Sequence, residues 1–403
     1  MKESTVGKLG EEQTTDCNIS LKIKRSGGIK IDLKSKVEST FGESIRELTN
    51  KEFKFFGINN ASIKIEDYGA YPFVLMARIE VAIKRALLDI NKEYLPEFSD
   101  KCKYNSSRDR FRRTRLYLPG NFPKFMINAG IHNPDAIILD LEDSVALPEK
   151  DSARVLVRNA LRVINFYGAE RMVRINQLPM GLIDLEWVVP HNTHLILIPK
   201  CESADTIRKV DEKIEEIKKK YKIKQEIFLM PIIESALGIV KAYEITSSSP
   251  NIVALAIGLE DYTADLGTMR TIEGKESFLA RSTIVNVARA AGVQPIDTVF
   301  SDVDDMEGLR NSTLEAKSLG FEGKGCIHPR QIEVIHNAFA PTKEEIEKAK
   351  KIMIAFDEAK AKNLSVVSLG SKMIDPPVVK RAEKIVELAV RTGKLSKDWR
   401  KDG

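Results

Sequence analysis

Nothing in this chain approaches the roughly 18–20 consecutive apolar residues that a membrane-crossing helix needs. It also lacks a block of one charge. Its 63 Lys and Arg are interleaved with 58 Asp and Glu, and a net charge of +5 over 403 residues leaves no footprint for nucleic acid. Cysteine is scarce: Cys17, Cys102, Cys201 and Cys326 lie far apart with no metal-ligand spacing, which reads as reduced thiols and not as a disulfide framework. The polar opening MKESTVGKLGEEQTTD has no apolar centre of a secretory signal. These absences predict a cytoplasmic protein with neither membrane nor nucleic acid as partner. No GxGxxG follows any apolar run, so the dinucleotide fingerprint is missing as well. What is present is 43% hydrophobic and 30% charged residues, enough for a substantial core. The length suits two or three domains, or one large barrel with an appendage.

Near the N-terminus, Ile19, Leu21 and Ile23 alternate with polar residues, Ser26-Gly27-Gly28 supplies a turn, and Ile29, Ile31 and Leu33 alternate again. This pattern predicts a β-hairpin over 18–34. A helix with Phe41, Ile45 and Leu48 on one face follows, then a strand over Ser62–Glu66 and an amphipathic helix over 71–91. Together they predict a small α+β domain over 1–95, whose function patterning alone leaves unread. Residues 96–114 form a polar, basic linker. Its arginines, Arg108, Arg110, Arg112 and Arg113, could receive the phosphates of a CoA-type ligand or simply face solvent.

From Arg115 onward, eight short apolar runs alternate with helical stretches: 116–118, 136–139, 172–175, 195–198, 227–233, 252–257, 296–299 and 326–327. That is the arithmetic of a (β/α)8 barrel over 115–340, with a C-terminal helical extension or lid over 341–403. A doubly wound sheet is the alternative, disfavoured by the missing fingerprint. Polar groups stand at nearly every strand end, where parallel α/β folds carry their sites. Glu234 ends the fifth run, and Glu260-Asp261 ends the sixth. Two carboxylates on adjacent strand ends can share a hard cation, and magnesium is the first candidate.

The segments RLYLPGN, AIILDLEDSVALPEKDSAR, LIPKCES, PIIESALGIVKAYEI, ALAIGLEDYTADLG, GCIHPRQI and SLGSKMIDPPVVKRAE resemble the citrate lyase beta subunit family, which includes malyl-CoA and citramalyl-CoA lyases, over residues 115–393. The resemblance implies Glu234 and Asp261 as Mg2+ ligands and Arg174 as the guanidinium that faces substrate. It places Asp140, Glu142 and Asp143 behind them, fixing Arg174 or metal waters. Arg115 and Lys200 match basic positions for CoA phosphates or the substrate carboxylate. Asp375, in SKMIDPP, falls on a segment that in relatives caps a neighbouring subunit's site and handles the proton on the acetyl carbon. Asp-Pro ahead of a helix is also a capping signal. His328 reads as structural.

The segments TTDCNISLKI, IDLKSKVESTFGESIRE and DYGAYPFVLMARIEVAIKRA resemble the acyl carrier (gamma) subunit of citrate lyase. There a serine carries a phosphoribosyl-dephospho-CoA arm. Thr14 stands in its place here, a secondary alcohol less suited to the modifying transferase, so the expectation is a carrier-like domain kept for assembly or for holding the barrel. The implied activity is Mg2+-dependent cleavage of a 3-hydroxy-acyl CoA thioester. The implied assembly is a trimer-based homo-oligomer, with other lyase-complex subunits as further partners. The alternatives are a CoA-independent aldolase sharing the metal and arginine, and a non-catalytic assembly subunit.

Overall fold

Alternating apolar residues build an N-terminal sheet from β1 (Glu3–Val6), β2 (Cys17–Ile23), β3 (Ile29–Ser35) and β4 (Ala61–Asp67), in the order β1-β2-β4-β3. The protein is described here by a computed structural model covering residues 2–10, 14–361, 367–369 and 372–400. Both strands of the expected hairpin form, but they do not pair with each other. β4 lies between them, antiparallel to β2 and parallel to β3. The physical reason is the helix α1 (Glu38–Phe56), which crosses the sheet after β3 and returns the chain parallel to it, as parallel pairing requires. The fully buried Ile63 and Ile65 of β4 thereby gain a neighbour on each side. On α1, Ile45 is buried while Phe41 remains 54% exposed. The next helix, α2 (Pro72–Ala86), stops short of residue 91.

Eight parallel strands close into a barrel: β5 (Thr114–Pro119), β6 (Ala136–Asp140), β7 (Glu170–Arg174), β8 (Leu195–Ile198), β9 (Phe228–Ile233), β10 (Ala254–Ile257), β11 (Gln294–Asp297) and β12 (Gly323–Cys326). β12 pairs with β5 to shut the ring. β11 and β12 start earlier than their apolar runs indicated. In β12 the reason is glycine: a Cβ on Gly323 would fall 2.0 Å from the Arg112 carbonyl oxygen, and one on Gly325 would fall 2.6 Å from a Val299 methyl. Close packing removed the side chains that would have marked the strand.

The arginines ahead of β5 are engaged by the barrel, with Arg112 buried and Arg108 still exposed. Arg112 Nε is 2.8 Å from Glu170, with both side chains fully buried, and Arg113 Nε is 2.8 Å from Asp135. Arg108 donates to the carbonyl of Ile252 at 3.2 Å, and Arg110 to that of Gly168. They knit the N-terminal ends of the strands, the end opposite the site. The C-terminal helix Pro376–Arg391 reaches the same end, where Arg391 lies 3.8 Å from the Phe111 ring centre and donates to the Asp109 carbonyl at 3.0 Å. No helix among the described residues is long and apolar enough to cross a membrane.

The N-terminal unit is bound to the barrel through α2, which packs on the helix Lys150–Val163. Arg78 forks onto Asp16 at 2.9 and 2.7 Å and also donates to the Asn121 carbonyl at 3.1 Å. Arg158 forks onto Glu80 at 3.0 and 2.8 Å. Beside this network Glu52 is buried with both carboxylate oxygens unpartnered. Burial, with Glu80 adding to it, pushes its carboxyl well above the ordinary range. A raised folded value means its contribution to stability is complete below the unfolded pKa and is lost as pH rises through the folded one. Glu52→Met is therefore expected to raise the unfolding free energy at pH 8 by about 1–3 kcal/mol and to flatten its pH dependence. Urea unfolding of both proteins at pH 5 and pH 8 checks this.

Candidate active site

The C-terminal ends of the strands surround a cavity of about 350 Å³, lined by Arg115, Tyr117, Asp140, Arg174, Glu234 and Asp261 among others. Glu234 directly follows β9, whose residues are all buried, and is itself 6% exposed. Its Oε2 accepts from the backbone N–H of Lys200 at 2.7 Å. Glycine at 258 leaves space for this carboxylate, since a Cβ there would lie 2.5 Å from Glu234 Oε1 and displace it. Burial, with the charge of Asp261 adding to it, pushes the Glu234 carboxyl up to about 7. Asp261 stands in the first turn of the short helix Leu259–Asp265, with Oδ1 3.9 Å from Lys200 Nζ. Thr298 helps fix that turn, accepting from Leu259 N–H at 3.2 Å. Its neighbour Glu260 is engaged by Arg270.

A buried carboxylate short of positive charge, beside a second carboxylate, is a donor set that suits a hard divalent ion. Magnesium takes oxygen ligands, is content with one or two carboxylates, and leaves positions for water or substrate. The residues present therefore fit it.

Arg174, at the end of β7, is held from behind. Nε and Nη2 lie 2.6 and 2.7 Å from the two oxygens of Asp140, and Nη1 is 3.0 Å from Glu142. These partners keep the guanidinium charged and hold the Asp140 carboxyl below its ordinary range against its burial. Lys200 Nζ is taken up by Glu142 at 3.0 Å and Asp143 at 3.1 Å, which raise its pKa. A lysine so paired is a poor imine-forming amine.

The sequence expectations place Glu234, Asp261, Arg174, Asp140, Glu142, Asp143 and Lys200 together, and the structure brings them together. Arg115 also lines the cavity, but from inside the barrel at 2% exposure, not at a rim where CoA phosphates could lie. Asp375 does not reach this cavity. It caps its own helix, accepting from Val378 N–H at 3.1 Å. Thr14 is exposed on the N-terminal unit and is not part of the lining. His328 accepts from Arg330 N–H at 3.2 Å, a turn contact that agrees with a structural role. Tyr117 was missed. It lies under Arg174, whose guanidinium is 5.4 Å from the ring centre. The period-two alternation of Arg115, Tyr117 and Pro119 was the available signal.

Comparison with known proteins then decides the family, since residues 113–329 match the one described as HpcH/HpaI aldolase/citrate lyase. The chain belongs to the HpcH/HpaI aldolase/citrate lyase family. Residues 4–86 match an acyl carrier family described as malonate decarboxylase delta subunit (MdcD), which agrees with a carrier-like N-terminal domain. The citrate lyase subunit beta of Haemophilus influenzae is 43% identical over 70% of this chain and 97% of its own length. The mitochondrial citramalyl-CoA lyase of Mus musculus is 33% identical over 69% of this chain and 86% of its own. Among solved structures, protein CitE from Mycobacterium tuberculosis in complex with magnesium, acetoacetate and coenzyme A is similar at a TM-score of 0.59 and 28% identity. That match covers 70% of this chain and 99% of CitE. Family membership and barrel thus agree with the resemblance read from the motifs.

Proposed function

We propose that this chain is a magnesium-dependent carbon–carbon lyase of the citryl-, citramalyl- or malyl-CoA type. It splits a 3-hydroxy-acyl thioester, bearing a carboxylate on the hydroxyl carbon, into an acetyl-type thioester and a 2-oxo acid. The observation that carries this reading is the Glu234/Asp261 pair sharing one cavity with Arg174, in a chain of this family. In the cleavage direction the hydroxyl loses its proton and the carbon–carbon bond breaks. The electron pair passes into the thioester as an enolate, whose carbon then takes a proton. Bound magnesium supplies Lewis-acid polarisation of the keto-acid oxygens. Glu234 and Asp261 would hold it. Arg174, fixed by Asp140, is set to grip the carboxylate or share charge on an oxyanion. Lys200 orients Glu234 through its N–H and balances Glu142 and Asp143 through its ammonium.

Asp375 supplies or accepts the methyl proton in this reading, at the site of a neighbouring subunit, because it lies outside its own cavity. A trimer-based homo-oligomer follows, in the cytoplasm, with other lyase-complex subunits as candidate partners. Asp375→Asn is expected to lower kcat about 10²-fold, the usual scale for losing a proton-transfer group. Mixed after co-refolding with a Glu234→Gln chain, it should regain activity, because some sites then receive both intact residues. A mixture as inactive as its parents would rule out sites shared between subunits. The carrier-like domain acts here as a fixed holder of the barrel, and intact-mass measurement reports whether Thr14 bears an arm. The direct test of the reaction is a panel of the three thioesters with Mg2+, scored for release of 2-oxo acid.

A further inference from the structure

Arg115 is a buried cation with no carboxylate partner among the described residues. Its Nη1 lies 3.2 Å from the Met230 sulfur, its Nη2 3.3 Å from the Asp297 carbonyl oxygen, and its Nε has no hydrogen-bond partner. Asp297, whose backbone oxygen it meets, commits its carboxylate to other cations. That carboxylate is taken by Arg281 at 3.1 and 3.2 Å and by Lys324 at 2.7 Å. On the strands that flank β5, the residues in register with Arg115 are the small Ala136 and Gly325. Arg115 lines the cavity, and its guanidinium is short of acceptors.

Leaving a buried charge unpaired destabilises a fold, so an anion that enters to meet it is bound strongly through it. The other cation lining the cavity, Arg174, is engaged by Asp140 and Glu142, and Lys200 nearby is taken by Glu142 and Asp143. A volume of about 350 Å³ accommodates a small acid and not a whole CoA. At the rim, Glu234, Asp261 and Arg174 suit the carboxylate and adjacent oxygen of a 2-oxo acid. A group that reaches down to Arg115 must then come from the far end of that acid.

We propose that Arg115 selects the substrate by pairing with a second carboxylate on the 2-oxo acid half. The favoured thioester is then the citryl type, whose hydroxyl carbon bears a carboxymethyl group. Citramalyl and malyl thioesters carry a methyl or a hydrogen there. This rests on the lyase reading above and adds the identity of the acid. A site built to bond a polar group discriminates strongly against an analogue that lacks it, because the site's own group is left unpaired.

The experiment compares wild type with Arg115→Met and Arg115→Lys on all three CoA thioesters, alongside calorimetric binding of oxaloacetate and pyruvate in the presence of Mg2+. Wild type is expected to favour citryl-CoA by about 100-fold or more in kcat/KM. Arg115→Met should lose that factor on citryl-CoA, stay within about threefold on citramalyl-CoA, and unfold no more easily than wild type. Arg115→Lys should fall between them. An equal loss on every thioester, or a wild type that cleaves citramalyl-CoA as well as citryl-CoA, overturns the proposal. If wild type cleaves none of them, the lyase reading fails and binding decides this one. Oxaloacetate held at least about 30-fold tighter than pyruvate, with the difference erased in Arg115→Met, supports it, and equal affinities refute it.

Discussion

Replacing Glu234 with glutamine is expected to lower kcat/KM for thioester cleavage by about 10⁴-fold, since a Lewis-acid site contributes several kcal/mol to the transition state. Glutamine keeps an oxygen that can accept from the Lys200 N–H, which Glu234 now does at 2.7 Å. It removes a negative charge that burial already penalises, so the variant should melt no lower than wild type. The expected pattern is therefore a folded protein whose half-saturating Mg2+ concentration rises steeply while activity collapses. Asp261→Asn should show the same pattern with a smaller loss, because its side chain is 45% exposed and water can replace it. Activity unchanged in Glu234→Gln would remove the metal pair from the mechanism. Steady-state kinetics across a Mg2+ titration makes the measurement.

Arg174→Met is expected to cost about 10³-fold in kcat, the scale of losing one preorganised oxyanion donor. That variant alone is ambiguous, because it also leaves Asp140 and Glu142 without the guanidinium that sits 2.6 and 3.0 Å away. Two buried carboxylates stripped of a partner destabilise the barrel rim. Arg174→Lys separates the two effects. An ammonium can still neutralise Asp140, so melting should stay near that of wild type. It cannot present a planar fork to Asp140 and substrate together, so kcat should remain down by about 10²-fold or more. If Arg174→Lys recovers activity as well as stability, the residue serves the fold and not the chemistry.

Much of this site could be read in the sequence because barrel strands carry their own punctuation. Polar residues stand at or just past nearly every strand end, and strand order alone brings Arg174, Glu234 and Asp261 to one end of the ring. What escaped had physical causes. Tyr117 sits within LYL, where composition hides that only alternate residues face inward. Arg115 was expected to bind CoA phosphates or the substrate carboxylate, but its place inside the barrel was not legible. Its neighbours Arg112 and Arg113 sit on Glu170 and Asp135 at the closed end, while Arg115 points into the cavity. No local signal separates these three, since the acids that pair them are 58 and 22 residues away. The mispaired hairpin has the same origin: alternation and the Ser26-Gly27-Gly28 turn describe two strands correctly but do not say which strand lies between them. β4 takes that place because of a helix crossing that lies outside the hairpin window.

The most direct check on the metal-centred account is electron paramagnetic resonance with Mn2+ in place of Mg2+ and oxaloacetate labelled with 17O at its C1 carboxylate and keto oxygen. One ion per chain is expected, with its lines broadened by the labelled acid, and with both binding and broadening lost in Glu234→Gln. An ion that binds equally well to Glu234→Gln, or one whose spectrum ignores the labelled acid, would contradict it.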